Sequence, residues 1–193
     1  NVLWNLTRDD GAMFVFFSWK EKLIDKRITS EFIWDKGAGK DVGGMGNLER
    51  DPANAYETVA YMPKDGFKPR WEKRPDNIIR DIPKVGTKRV HITQKPIRLM
   101  DRLVRWGTDA HDLVLDPFAG SGSTGLACMK SYRYCIMFEL KPVNCAVIAT
   151  RLSQLELPFG IDPLSSGVEP EDYIQEDLFG DDDESGDTKT PSE

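Results

Sequence analysis

Cysteine and histidine are scarce in this chain of 193 residues: three of one and two of the other. Cys128, Cys135 and Cys145 form no Cys-x-x-Cys pair, and His91 and His111 stand apart. A disulfide framework and a structural zinc site are therefore excluded, and no metal is expected. The lone thiols suit a reducing compartment, read here as buried inert side chains on apolar helix or strand positions. No apolar run reaches the roughly 18 residues of a membrane span, so no membrane partner is expected. No secretory segment is recognised. The nucleophile hydroxyls of Ser121, Ser123 and Thr124 have no histidine near them in sequence, which argues against hydrolytic chemistry. His111 reads as a loop or surface residue.

Charge is plentiful but uneven. The whole chain carries 26 Lys+Arg and 32 Asp+Glu, a net of -6. Residues 158–193 hold 12 acids and one base, Lys189, which leaves 25 bases and 20 acids, net +5, in 1–157. The acidic stretch, rich in Gly, Ser and Pro, cannot bury enough apolar area to offset its ordering entropy and reads as a disordered tail. It serves either as a solvated, solubilising tail or as a nucleic-acid mimic over a basic face. Lys64–Arg105 holds 13 bases and five acids, with Phe67, Trp71 and Trp106 in or beside it. That pattern suits a phosphate backbone, and equally a solvated face.

Along the chain, Met13–Phe17 is an unbroken apolar run that predicts a buried strand, central and parallel. Lys20–Arg27 predicts a short helix and Ser30–Asp35 a strand. Gly37, Gly39, Gly43, Gly44 and Gly46 predict a flexible loop. Ala55–Met62 predicts another strand, closed by the turn Pro63-Lys64-Asp65-Gly66, and 67–92 an irregular insert. Gln94–Trp106 is an amphipathic helix with apolar Ile97, Leu99, Met100, Leu103, Val104 and Trp106. Then come a strand (Asp112–Leu115), a glycine-rich turn (Asp116–Gly125), a helix (Thr124–Ser131), a strand ending on Glu139 (Tyr134–Phe138) and a helix (Val143–Leu155). This β-α-β-α order predicts an α/β fold with an open, doubly wound, mostly parallel sheet.

The glycine turn carries the chemistry. Glycines between a strand and a helix let a ligand approach the backbone closely. An acid closing the next strand accepts hydrogen bonds from ribose hydroxyls, and Glu139 follows Asp116 close to the roughly 20 residues expected of such an acid. A nucleoside-containing cofactor follows. Gly120, Gly122 and Gly125 do not form Gly-x-Gly-x-x-Gly, which argues against a dinucleotide, and no Lys-Ser/Thr follows to make a phosphate-binding Walker loop.

Asp116-Pro117-Phe118-Ala119-Gly120-Ser121-Gly122 resembles the S-adenosylmethionine loop of the DNA amino-methyltransferases, which methylate the exocyclic amine of adenine (N6) or cytosine (N4). His91-Ile92-Thr93-Gln94-Lys95-Pro96 resembles that family's His-x-Thr-Gln-Lys-Pro segment. Its Thr hydroxyl and Lys ammonium suit the carboxylate of the cofactor's methionine end. Alone, His91 and Pro96 would read only as a helix start. Phe32-Ile33-Trp34-Asp35-Lys36 and Glu57 resemble intervening segments, with Trp34 and Lys36 read as structural. Tyr134–Glu139 and the helix carrying Arg151 complete the resemblance over 11–156. Lys141 stands where members often carry an acid.

The resemblance implies a methyltransferase-like, Rossmann-like sheet with one antiparallel strand and permuted motif order (the β arrangement). It divides the chain into a methyltransferase domain, 1–157, and the acidic tail. Within the domain, 37–90 is the expected target-recognition insert and 91–157 the cofactor half. It implies S-adenosylmethionine as cofactor, held by Thr93, Lys95, Asp116, Pro117, Phe118, Gly120, Ser121, Gly122 and Glu139. Asp116 either fixes the turn or meets the cofactor's ammonium. Double-stranded DNA is the implied partner, with Lys68, Arg70, Lys73, Arg74, Lys88 and Arg89 as candidate contacts. A restriction endonuclease and a second copy of the chain are further partners the family admits, in a bacterial or phage setting. The family's catalytic Asp/Asn/Ser-Pro-Pro-aromatic segment is absent: the chain has no Pro-Pro dipeptide. It is expected upstream of Asn1, with no catalytic residue in this chain. Two alternatives remain, a non-catalytic nucleic-acid-binding partner that retains the cofactor fold and an RNA methyltransferase.

Overall fold

A computed structural model describes residues 2–17, 25–37, 55–85 and 94–154. A short helix, α1 (Val2–Leu6), leads into strand β1 (Ala12–Phe17), followed by β2 (Ser30–Asp35), β3 (Tyr56–Pro63) and the two-residue β4 (Ile78–Ile79). These form one sheet in the order β1-β3-β2-β4. β3 is antiparallel to both β1 and β2, and β4 is parallel to β2. Three strands therefore share a direction and β3 alone runs against them, as the single antiparallel strand of the expected fold. Helix α2 (Ile97–Gly107) follows, then β5 (Leu113–Asp116), α3 (Ser123–Lys130), β6 (Tyr134–Met137) and α4 (Pro142–Ser153). β5 and β6 pair in parallel, and α3 is the crossover between them, as parallel neighbours require.

Packing explains the strand patterns. On β2 the alternate residues Phe32 and Trp34 are buried while Ile33 between them is only half-buried, the period-2 signature of one core-facing side. β3 lies between two strands, and Thr58–Met62 are all buried. The core joins Phe32, Trp34, Val59 and Tyr61 of the sheet to Phe67, Ile79, Ile82, Leu99 and Leu103. Helix α2 is the seam of the molecule. Leu99 and Leu103 face the first sheet, and Val104 joins Ala127, Cys128, Val114 and Cys135 in a second cluster. Pro96 sits just before α2, and its carbonyl accepts from the backbone N–H of Leu99 (3.1 Å) and Met100 (3.2 Å).

Several expectations are corrected here. β1 is not central among the described residues: it pairs only with β3, and antiparallel. An unbroken apolar run calls for cover on both faces but does not choose the neighbour. All six residues of β1 are in fact half-buried. The stretch 37–90 is not wholly an insert, because it contains β3, the most buried strand. Asp25–Arg27 is non-helical, and the rest of the expected helix Lys20–Arg27 lies outside the described residues, as do most of the glycine loop and the acidic tail. The aromatics of the basic stretch, Phe67, Trp71 and Trp106, pack with Phe32 and Tyr61. Cys145 is exposed; Cys128 is fully buried. The adjacent Cys135 sulfur and burial push the Cys128 thiol well above its ordinary range, which keeps it protonated and inert.

Trp34 has the structural role expected of it. It is 2% exposed, and its indole Nε1 donates to the Ile82 carbonyl at 2.7 Å. Trp34→Phe keeps most of the apolar bulk and leaves that buried carbonyl unpaired. The expected cost is about 1–3 kcal/mol in urea unfolding. A loss below about 0.5 kcal/mol would mean that the carbonyl finds another donor.

Candidate cofactor-binding site

The second half of the chain builds a turn tied at both ends. Asp116 closes β5; its Oδ1 accepts from Phe118 N–H at 3.0 Å and its Oδ2 from the Thr124 hydroxyl at 2.5 Å. One carboxylate thus joins the strand end, the turn and the first turn of α3. Gly120 (φ 55°) and Gly122 (φ 80°) occupy left-handed backbone that side chains disfavour. Gly122 N–H donates to Ala119 O at 2.7 Å, and Ala119 N–H to Phe138 O at 2.9 Å. The turn is thereby anchored to the end of β6.

Glu139 is anchored in the same way. Its Oε2 accepts from Gly120 N–H at 2.9 Å, and its Oε1 from Lys141 N–H at 2.9 Å and Asn144 Nδ2 at 3.0 Å. The acid is held against the glycine turn before any ligand arrives. Around it Phe118, Phe138 and Leu140 are exposed at 83%, 59% and 94%. Exposed apolar side chains clustered beside an oriented carboxylate mark a ligand surface. A sugar whose vicinal hydroxyls donate to the carboxylate, with an attached flat ring on the apolar side chains, matches this surface. The turn's Ser121, Ser123 and Thr124 are buried. The Ser121 carbonyl accepts from Arg151 Nη1 of α4 at 2.6 Å, and the Ser123 hydroxyl donates to the Lys95 carbonyl at 2.8 Å.

The residues singled out from sequence divide clearly. Asp116, Pro117, Phe118, Gly120, Ser121, Gly122 and Glu139 come together at this one turn. Lys95 reaches it through its backbone, while its ammonium lies 2.7 Å from Glu57 Oε2. Thr93, Lys88 and Arg89 lie outside the described residues. Lys68, Lys73 and Arg74 are exposed. Arg70 instead pairs with Asp109 at 3.0 Å, donates to the Lys68 carbonyl and sits over the Phe67 ring. Residue-pattern reasoning gave no role to Asn144, Arg151 or the Glu57–Lys95 pair. Each contact joins separate elements, and no local spacing announces it.

A parallel strand pair, a glycine crossover turn and an acid just beyond the second strand define a nucleoside-cofactor site of the methyltransferase type. The profile of the DNA methylase family matches residues 3–150, and the chain belongs to that family. It is 37% identical over 198 aligned residues to the Type II methyltransferase M1.MboII of Moraxella bovis, covering 77% of this chain and 74% of the relative. It is 29% identical over 147 residues to the Escherichia coli protein YubD, whose name marks it a candidate methylase, covering 72% of this chain. The chain spans about three fifths of that relative, 61% of its length. The solved M1.HpyAVI complex with S-adenosylmethionine superposes with a TM-score of 0.57 at 25% identity, over 75% of this chain and 76% of the other. The PvuII cytosine-N4 methyltransferase shares the fold, with a TM-score of 0.60 at 20% identity over 86% and 68% of the two chains. No helix of the described residues is long and apolar enough to cross a membrane.

Proposed function

We propose that the whole protein transfers the methyl group of S-adenosylmethionine to the exocyclic amine of adenine or cytosine in double-stranded DNA. In this reading the present chain supplies the cofactor site. The observation that carries it is the Glu139 carboxylate held by Gly120 N–H at the mouth of the glycine turn. Glu139 receives the ribose hydroxyls, Phe118 lies against the adenine, and Thr93 and Lys95 take the methionine carboxylate. Pro117, Gly120, Ser121 and Gly122 shape the turn, while Asp116 braces it. The cofactor brings an electrophilic methyl on a sulfonium. The chain's own part is to orient it and to keep water from its flank.

The catalytic Pro-Pro segment is proposed to lie outside these 193 residues. What supports this is an uncovered surface. α3 covers the Val114 and Cys135 face of β5 and β6. On the other face Leu113, Leu115, Tyr134 and Ile136 are 38–60% exposed. Parallel strands are ordinarily covered on both faces, and β1 is half-buried throughout. The segment 64–85, with exposed Lys68, Lys73 and Arg74, is the proposed DNA-facing region, its lysines and arginine on phosphates. A restriction endonuclease that reads the same site is the natural counterpart of such an enzyme.

The test is transfer of labelled methyl to unmethylated DNA. The 193-residue chain is compared with a version extended by the residues that precede it in its reading frame. Label on DNA from the extended protein alone is expected. Label from the short chain would overturn the placement of the catalytic segment. Label on RNA in preference to DNA would overturn the substrate. DNA binding with no transfer by either form would favour the non-catalytic partner.

A further inference from the structure

Three ionisable side chains from three elements meet at one edge of the first sheet. Glu57 is the second residue of β3, Lys36 follows β2, and Lys95 precedes α2. Glu57 Oε2 lies 2.7 Å from Lys95 Nζ, and Oε1 lies 3.7 Å from Lys36 Nζ. All three side chains are largely covered, at 29%, 21% and 17% exposure for Glu57, Lys95 and Lys36. Lys95 Nζ also stands 5.1 Å from the centre of the Phe16 ring near the end of β1. The group lies where β1 and β2 end, at the carboxyl edge at which open α/β sheets bind ligands. Through its carbonyl Lys95 is bonded to Ser123, the first residue of α3 and part of the glycine turn.

The charges do not cancel. Two ammoniums and one carboxylate leave one positive charge in a half-covered site, and an ammonium has three donors. A ligand carboxylate would balance the group. Glu57 carries the same sign of charge as such a ligand. Its contact nonetheless fixes a long side chain that would otherwise lose rotamer freedom on binding.

We propose that Glu57 is a positioning residue for the amino-acid end of the cofactor. It fixes the Lys95 ammonium at the carboxyl edge of the sheet, where that ammonium takes the ligand carboxylate, while Lys36 keeps the group net positive. This rests on the S-adenosylmethionine reading above.

Calorimetry on the 193-residue chain with two probes tests it. S-adenosylhomocysteine and methylthioadenosine are both thioethers of adenosine, and only the first carries the amino-acid chain. The unmutated protein is expected to prefer S-adenosylhomocysteine by about tenfold or more, the scale of one charge-assisted contact. Glu57→Gln should weaken that ligand about fivefold to tenfold and leave methylthioadenosine within about twofold. Glu57→Asp, which draws the carboxylate back by one methylene, should show the same selective loss. In a Lys95→Met background, Glu57→Gln should add nothing, because its effect passes through Lys95. Equal losses for both ligands, no loss, or tighter S-adenosylhomocysteine binding would each overturn the proposal. If the unmutated chain binds both ligands alike, the carboxylate contact is wrong while the adenosine site stands. If it binds neither, the cofactor reading fails and takes the proposal with it.

Discussion

Glu139→Ala should weaken binding of S-adenosylhomocysteine by more than about a hundredfold. Hydrogen bonds to a charged group contribute about 1.5–3 kcal/mol each, so losing two to the ribose hydroxyls removes about 3 kcal/mol or more. The side chain also holds the site together, since it ties Gly120 N–H of the turn to Lys141 N–H and Asn144 beyond β6. Glutamine should fare little better. Both carboxylate oxygens accept from a backbone N–H, so Glu139→Gln must point its NH2 at one of those donors. Asn144→Ala removes one donor and leaves both backbone donors, so its expected loss is smaller, about threefold to tenfold. Calorimetric titration, with thermal unfolding as the check on folding, separates the three variants. Near-normal affinity in Glu139→Gln would show that the ligand does not need both oxygens, and would count against the ribose assignment.

That site was legible in the sequence because its parts are close together. Strand, glycine turn, helix, strand and acid follow within one β-α-β unit, where local patterns dictate geometry. The seam helix was legible too, because Leu99, Leu103 and Val104 fall at helical spacing. The basic stretch with its aromatics was only partly legible, for a reason of the same kind. Charge density and aromatic content are counts, and they do not say which way a ring faces. Trp71 and Trp106 contact each other edge-on, with centroids 5.8 Å apart, inside a run of lysines and arginines. Arg70, inside the same run, bonds to Asp109 and over Phe67. The Glu57–Lys95 pair left no trace at all. Its partners sit on elements that only the sheet order brings together, and ion pairs of this kind have no period.

The second large effect is expected at Gly122, and it runs through helix α4. Gly122→Asp should cost about 3 kcal/mol or more in urea unfolding. From sequence the substitution reads as a plug in the cofactor turn. The geometry assigns it another route. A Cβ at Gly122 would meet Ile148 Cγ1 at 3.1 Å and Cγ2 at 3.2 Å, in the buried contact of the turn with α4. Gly122 stands at the N-cap of α3, where aspartate is usually welcome. That benefit needs extended backbone, and Gly122 has φ 80°. Aspartate would therefore add left-handed strain and press a charge against Ile148. Displacing α4 would loosen Asn144 from Glu139 and Arg151 from the Ser121 carbonyl, so cofactor affinity should fall as well. Gly122→Ala carries the strain and the contact without the charge, at an expected cost of about 1–2 kcal/mol. In a double-mutant cycle with Ile148→Ala, which removes both Cγ atoms, the cost of Gly122→Ala should shrink if the contact matters and stay the same if backbone strain alone sets it. A stable Gly122→Asp protein that had lost only cofactor binding would instead place the side chain in the ligand site, against the route through α4.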